Sequence, residues 1–418
     1  MRRFVILIII AVFILLVGCS IIKDLSQGIG ANTTEEISQS SSEALPEGVD
    51  SEYLKAVWIS QFELSMASDA DKSEAAFRSK ISKMLQNCAD NSVNTVIVQV
   101  RPFSDAFYPS SIFPATQFLS GTQGVYVGYD ALGILVETAK PLGLSVQAWI
   151  NPYRISKEKD FSALSADNPA KMWYDNDKNT RDLIICDKGI YFNPASLKAQ
   201  KLIIDGVREI VANYDIGAIH FDDYFYPTKE AQIDAPDFEK YKSSGGVLSL
   251  DEWRRANVSG LVSGVYSAIK SLKSDVAFGI SCSANLEKNF NDLYADVYEW
   301  SRNEGYVDYL MPQIYFGYEN ESMPFTKTAT AWSNLISEKS KVDLYCGIAA
   351  YKVGIEDKNA GTGKNEWLRN SNILARQLTD LKAMPAYKGF SFFSYSYIFE
   401  DNLSAAAQKE LNNLIDVI

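Results

Sequence analysis

Eight short apolar runs, each followed by a longer stretch with helical spacing, constrain this chain more than any other feature. The runs are KAVWISQF from Lys55, NTVIVQVR from Asn94, LSVQAWINPY from Leu144, GAIHFDDYF from Gly217, VAFGISCS from Val276, DYLMPQIYF from Asp308, DLYCGIAAY from Asp343 and GFSFFSYS from Gly389. Between them, segments such as SKISKMLQNCADN, AQKLIIDGVREIVANY and VSGLVSGVYSAIKSL repeat apolar residues three and four apart, as amphipathic helices do. Strands too continuously apolar to keep a wet face belong to a parallel sheet covered by helices. Eight such units predict an α/β fold, a (β/α)₈ or TIM barrel, as one domain over 52–418. A doubly wound open sheet would carry a glycine-rich phosphate turn after its first strand, and AVWISQFELS has none.

The N-terminus reads differently. Residues 1–19, MRRFVILIIIAVFILLVGC, place Arg2 and Arg3 before an apolar run that ends in Leu16, Val17, Gly18 and Cys19. The run is short for a membrane span, and its end resembles a lipobox, so a lipoprotein signal peptide is expected, with Cys19 as the lipidated first residue of the mature chain. The alternative is an uncleaved anchor. Residues 20–51 are rich in Ser, Gly, Thr and Glu and lack aromatics, the composition of a flexible tether. Both readings put the domain on the extracytoplasmic face of the cell membrane.

With 40 Lys plus Arg against 52 Asp plus Glu, the net charge of −12 argues against a nucleic-acid partner. A single histidine, His220, and four scattered cysteines (Cys88, Cys186, Cys282 and Cys346) argue against a zinc site and give no support to a disulfide. No metal, no cofactor and a monomer are expected.

In a (β/α)₈ barrel the C-terminal strand ends and the loops after them carry the chemistry. Here those ends are polar and aromatic: Trp58, Gln61 and Glu63 after the first strand; Gln99, Arg101 and then Asp105 after the second; Asn151, Tyr153 and Arg154 after the third. Gln313 and Tyr315 end the sixth, Tyr351 follows the seventh, and Tyr395 and Tyr397 follow the eighth. Singly each has a structural explanation. Together they describe a cup for sugars, with rings to stack on pyranose faces and polar groups to clamp hydroxyls.

The fourth strand exits through HFDDYFYP, His220 to Pro227. A carboxylate is expensive to bury unless partnered, so two adjacent aspartates there call for a function. Alternation along a strand puts His220, Asp222 and Tyr224 on one face and Phe221 and Asp223 on the other. Phe221 belongs against the helices, which turns Asp222 into the barrel as first choice for a catalytic carboxylate, with Asp223 as buttress or substitute. Glycoside hydrolysis normally needs a second carboxyl group. Glu63 and Asp105 are the leading candidates, with Glu319 behind them, and none ends the seventh strand.

The stretches VQVRPFSDAFYPSSIFPAT, GYDALGILVETAKPLGLSVQAWINPYR, YFNPA, IHFDDYFYP, DYLMPQIYF and GIAAYKVG resemble those of the bacterial glycosyl-hydrolase-like family 10, from about Lys55 to Phe399. The resemblance implies a (β/α)₈ domain acting on glycan, in a family that includes envelope lipoproteins and hydrolases of peptidoglycan strands stripped of their peptides. It places the family's DD motif on Asp222 and Asp223, its NPYR motif on Asn151 to Arg154, and its QVRPFSDA motif on Gln99 to Ala106. The chain departs from the family after the fifth strand, where it reads SCSANLEKN from Ser281.

The expected protein is therefore a lipid-anchored glycoside hydrolase of β-linked cell-wall glycan, with Asp222 as nucleophile or base. The alternative is a barrel that binds the polysaccharide without cleaving it. A metal-dependent hydrolase, with Asp222, Asp223 and Glu63 as ligands, is a third and weaker reading.

Overall fold

The computed structural model describes residues 53–336, 340–415 and 417–418. The expected signal peptide, Cys19 and the tether lie outside the described residues. Among the described residues, no helix is long and apolar enough to cross a membrane.

All eight apolar runs are strands: β1 (Leu54–Ile59), β2 (Thr95–Arg101), β3 (Ser145–Ile150), β7 (Ala218–Phe221), β8 (Ala277–Ile280), β9 (Tyr309–Leu310), β10 (Asp343–Ile348) and β11 (Tyr387–Phe392). They close in the order β1-β11-β10-β9-β8-β7-β3-β2, every pair parallel, which is the (β/α)₈ barrel. Alternation divides their side chains into two cores. Val57, Ile59, Val96, Val98, Ile150, Ile219 and Phe221 face outward to the helices, whereas Ala56, Trp58, Ile97, Trp149, Ala218, Tyr309 and Met311 fill the interior.

The helical segments form where the spacing places them, and polar caps start them. Ser196 begins the helix Leu197–Asn213 by accepting from the backbone N–H of Ala199, and Ser249 begins Leu250–Leu272 with Glu252 completing a capping box. Cys88, Cys186, Cys282 and Cys346 are all free thiols, and Cys282 and Cys346 are buried in the barrel wall.

Two departures from the expected pattern bear on the site. In β2 the register against β3 shifts between Gln99, opposite Trp149, and Arg101, opposite Ile150. This bulge inserts one residue, so Arg101 joins the outward face instead of following Gln99 into the barrel. Its guanidinium packs over Phe113 at 4.6 Å, and the helix Leu197–Asn213 comes so close that a Cβ at Gly206 would lie 2.2 Å from Nη1 of Arg101.

The second departure is the long loop after β3, which holds a small antiparallel sheet of β4 (Arg154–Ser156), β5 (Leu183–Cys186) and β6 (Gly189–Phe192). Gly189, at φ +113°, closes the β5–β6 hairpin, and a Cβ there would meet the carbonyl of Ser156 at 2.0 Å. The sheet fixes the path of the chain around Arg154.

Candidate active site

The C-terminal strand ends enclose a cavity of about 510 Å³. Its lining comes from all eight barrel strands or the loops after them, with Ser281 the contribution of β8. Trp58, Gln61 and Glu63 follow β1, Gln99 β2, Trp149, Arg154 and Lys157 β3, and Asp222, Asp223 and Tyr224 β7. Gln313 and Tyr315 follow β9, Tyr351 follows β10, and Phe393, Ser394 and Tyr397 follow β11.

The floor is built on alternate residues of one strand. His220 and Asp222 point the same way, and each accepts a hydrogen bond from an indole. Nε1 of Trp58 donates to Nε2 of His220 at 3.3 Å, and Nε1 of Trp149 donates to Oδ2 of Asp222 at 3.2 Å. Because Nε2 accepts, the proton of the imidazole sits on Nδ1, which donates to the Tyr309 hydroxyl at 2.7 Å; that hydroxyl donates in turn to Gln147 at 2.8 Å. Full burial holds His220 down to a pKa of about 3, so the ring is neutral. His220 thus lies under the cavity and orients Trp58.

Asp222 is only 3% exposed, and burial pushes its carboxyl up to about 8. The neighbouring Asp223 adds to the rise; Arg154, the Tyr224 backbone N–H and the Trp149 indole oppose it. Burial also raises Asp223, against the pull of Lys288, Gln313 and Arg154. Two adjacent acids sharing such a site do not both ionise easily, and burial favours the protonated form of each, so the pair holds on to a proton.

Aromatic rings form the walls. Phe393 meets both indoles edge-on, at 5.9 Å from Trp58 and 6.3 Å from Trp149, and Tyr315 stands at 90° to Trp58. The Arg154 guanidinium lies 3.8 Å over the ring of Tyr224.

Glu63 reaches the rim but is fully engaged. Its Oε2 accepts from the Ser60 backbone N–H at 2.6 Å, and its Oε1 accepts from the Ser394 hydroxyl and the Ser396 backbone N–H, both at 2.7 Å. The side chain ties the exit of β1 to the exit of β11. Among the described residues, no group of three or more His, Cys, Asp or Glu could hold a metal ion, so Glu63 and the two aspartates do not form a cation site.

The structure thus brings together Trp58, Glu63, Gln99, Arg154, Asp222, Asp223, Tyr224, Gln313, Tyr315 and Tyr351. Asn151 stands just behind, accepting from the Gln99 amide at 3.1 Å. Besides Asn151 and His220, which lie just beneath it, several expected residues stay out of the cavity. Arg101 is turned outward by the β2 bulge, Asp105 is buried in the loop after β2, and Tyr153 packs edge-on against Phe225 in the outer core. Glu319 is also elsewhere, paired with Arg369 at the surface, and Tyr395 bonds Asn87.

Asp223 corrects the alternation argument. Strand pairing of β7 stops at Phe221, the chain turns, and Asp223 enters the cavity beside Asp222 instead of facing the helices. Sequence reasoning missed Trp149, Lys157, Phe393 and Ser394. Trp149 was accessible by counting back two from Asn151; the others sit on loops that have no period.

The glycosyl hydrolase-like 10 family model matches residues 53–363. The chain is 34% identical over 360 residues to glycosyl hydrolase YngK of Bacillus subtilis, covering 82% of this chain and 68% of that protein. It is 28% identical to glycosyl hydrolase DigH of Escherichia coli, covering 83% and 84%. Among solved structures, the fold matches the PgaB (BpsB) glycoside hydrolase domain from Bordetella bronchiseptica, with a TM-score of 0.55 at 10% identity over 87% of this chain and 98% of that one. It also matches an endo-1,4-beta-D-mannanase from Thermotoga petrophila, with a TM-score of 0.52 at 12% identity over 88% and 100%. The sequence motifs, the closed barrel and the acid pair at its C-terminal mouth converge on one assignment: this chain belongs to the glycosyl hydrolase-like 10 family.

Proposed function

We propose that the protein is a lipid-anchored, extracytoplasmic glycoside hydrolase that cleaves β-linked cell-wall glycan, with peptide-free peptidoglycan strands as substrate. The observation that carries the hydrolase reading is the proton-bearing Asp222 beside Asp223 on the floor of an aromatic-walled cavity. A carboxyl raised to about 8 keeps its proton at neutral pH and can give it to a leaving glycosidic oxygen. Asp222 is therefore assigned as general acid, not as the nucleophile or base that its position on the strand first implies. Asp223, beside it in the cavity, is placed to supply the negative charge that an oxocarbenium-like transition state needs nearby. Trp58, Trp149 and Phe393 give the sugar ring its apolar contact. The relatives named as glycosyl hydrolases support turnover, and the basic, apolar, LVGC-ending N-terminus supports anchoring.

A second reading, a barrel that retains glycan without cleaving it, draws on Glu63, whose two oxygens are already occupied. One experiment separates the two. The detergent-solubilised full chain and its Asp222→Asn and Asp223→Asn variants are incubated with peptide-free peptidoglycan strands, and new reducing ends are counted. Release that collapses in the variants supports the hydrolase; strands retained by the folded wild type with no new ends leave the binding barrel.

A further inference from the structure

At the exit of β10 the chain reads GIAAYKVG, and the turn Ala350–Lys352 closes over it. Tyr351 lines the cavity; the next residue, Lys352, lies behind that wall and does not. A lysine is seldom buried, because its ammonium gives up water that few interiors replace. Lys352 is 9% exposed, and its Nζ donates to Oδ2 of Asp357 at 2.6 Å and to the backbone carbonyl of Tyr315 at 2.7 Å. Asp357, in the loop that follows, is 5% exposed. Stability does not explain the pair, since well-packed apolar side chains of similar volume serve a fold as well as a buried ion pair does. What apolar side chains could not do is donate to Tyr315, on the exit of β9.

Tyr315, Tyr351 and Phe393 come from the exits of β9, β10 and β11 and touch one another. Their ring centroids stand 5.8 Å apart for Tyr315 and Tyr351, 5.7 Å for Tyr315 and Phe393, and 6.1 Å for Tyr351 and Phe393. Strand pairing stops short of all three: the last bridge on the β9 side is at Gln313, and β10 and β11 end at Ile348 and Phe392. Two polar bonds take over. The backbone N–H of Tyr351 donates to the carbonyl of Phe393 at 3.2 Å, and Lys352 holds the carbonyl of Tyr315. Further along the same loop, Gln377 donates to the Phe316 carbonyl at 2.8 Å, and Glu366 accepts from the N–H groups of Tyr318 and Glu319, both at 2.9 Å. Of these side chains, only Lys352 binds a residue that lines the cavity. We propose that Lys352 is a positioning residue: its ammonium sets Tyr315 against Tyr351 and Phe393 and so fixes the aromatic wall that receives the sugar ring. The inference rests on the glycosidase reading and adds a residue outside the cavity to it. Trp58 shares that wall, at 90° to Tyr315, so a shift of Tyr315 also reaches the indole.

The test measures kcat, KM and melting temperature of the full chain in neutral detergent, with peptide-free peptidoglycan strands as substrate. Lys352→Met combined with Asp357→Leu removes the bond to Tyr315 and leaves no buried charge behind. Its melting temperature should stay near that of the wild type, while KM rises roughly tenfold and kcat changes less than about threefold, because a displaced wall loses binding shared by ground and transition states. Asp357→Asn keeps the ammonium and its bond to Tyr315 but removes the counter-charge. That variant should melt lower with KM unchanged. A purely structural role predicts the reverse: KM would follow the melting temperature or not move at all. A stable double variant with the wild-type KM therefore overturns the assignment, and so does a double variant that does not fold. If the wild type cleaves no strands, the glycosidase reading fails instead; retention of the same strands in affinity gels then replaces KM, and equal retention by wild type and double variant overturns the positioning role.

Discussion

The indole N–H of Trp149 on β3 reaches Oδ2 of Asp222 at the end of β7 across 3.2 Å, and it favours the charged form of an acid that burial drives the other way. Trp149→Phe keeps the ring and removes the donor. The Asp222 pKa should then rise by about one unit, because a hydrogen bond to the carboxylate is lost. The basic limb of the kcat/KM profile should move to higher pH by that amount, with roughly a tenfold loss at the optimum. An unmoved limb would mean that Asp222 is not the titrating acid.

The same burial makes Asp222 unfavourable to stability. Its folded pKa of about 8 lies above its ordinary carboxylate value, so the unfolded chain loses this proton first as pH rises. Stability contributed here is full below pH 4 and declines between about pH 4 and 8. Asp222→Asn removes the ionisation and should stabilise the domain at pH 7 by on the order of 3 kcal/mol while lowering kcat about 10²–10⁴-fold. Denaturant midpoints at pH 5 and pH 8 check the sign, since the gain must be larger at pH 8.

His220 has the opposite dependence. Its folded pKa of about 3 lies below its ordinary value, so protons bind the unfolded chain first as pH falls below 6.5. His220→Ala also strands the Trp58 N–H in the interior and removes the donor to the Tyr309 hydroxyl, which keeps its bond to Gln147. A loss of about 2–4 kcal/mol is expected, along with a rise in KM as the Trp58 ring loosens.

Glu63 tests whether a carboxylate at the rim is structural. With three donors on its two oxygens, Glu63→Gln should cost about 1–2 kcal/mol and less than tenfold in kcat, far below the loss at Asp222. A thousandfold loss with an intact fold would return Glu63 to the role its place after β1 first implies.

The barrel was legible because its signal is long-range and redundant: eight apolar runs, each buried on both faces, leave one closed arrangement. The site was legible only where strand periodicity persists. Trp58, Gln99 and Asp222 sit on paired strands or one residue beyond, and they face as alternation demands. Arg101 failed because one inserted residue in β2 reverses every side chain after it, and nothing local in TVIVQVR marks the bulge. Tyr153 and Asp105 lie in loops, where spacing carries no direction. The β4–β5–β6 sheet was missed although IIC and IYF flank a Gly-containing turn, and with it went the reason Arg154 points at Tyr224.

The loop that leaves Asp223 returns to the fold through a buried ion pair. Arg254, on the helix Leu250–Leu272, binds Asp234 with Nε at 2.9 Å and Nη2 at 2.5 Å, and both residues are fully buried. The same guanidinium donates to the carbonyls of Lys229 and Glu230 and to the hydroxyl of Tyr294, so it closes the segment that begins at the acid pair. Arg254→Met leaves the Asp234 carboxylate buried without its cation and two carbonyls without a donor. Removing one partner of such a pair costs about 3–5 kcal/mol, more than the pair's net contribution. Because the segment also sets where Asp222 and Asp223 emerge, kcat should fall together with the melting temperature. Arg254→Met combined with Asp234→Leu removes the stranded charge and should recover most of the stability. Activity that stays low in that stable double variant would show that Arg254 fixes the placement of the acid pair as well as the fold.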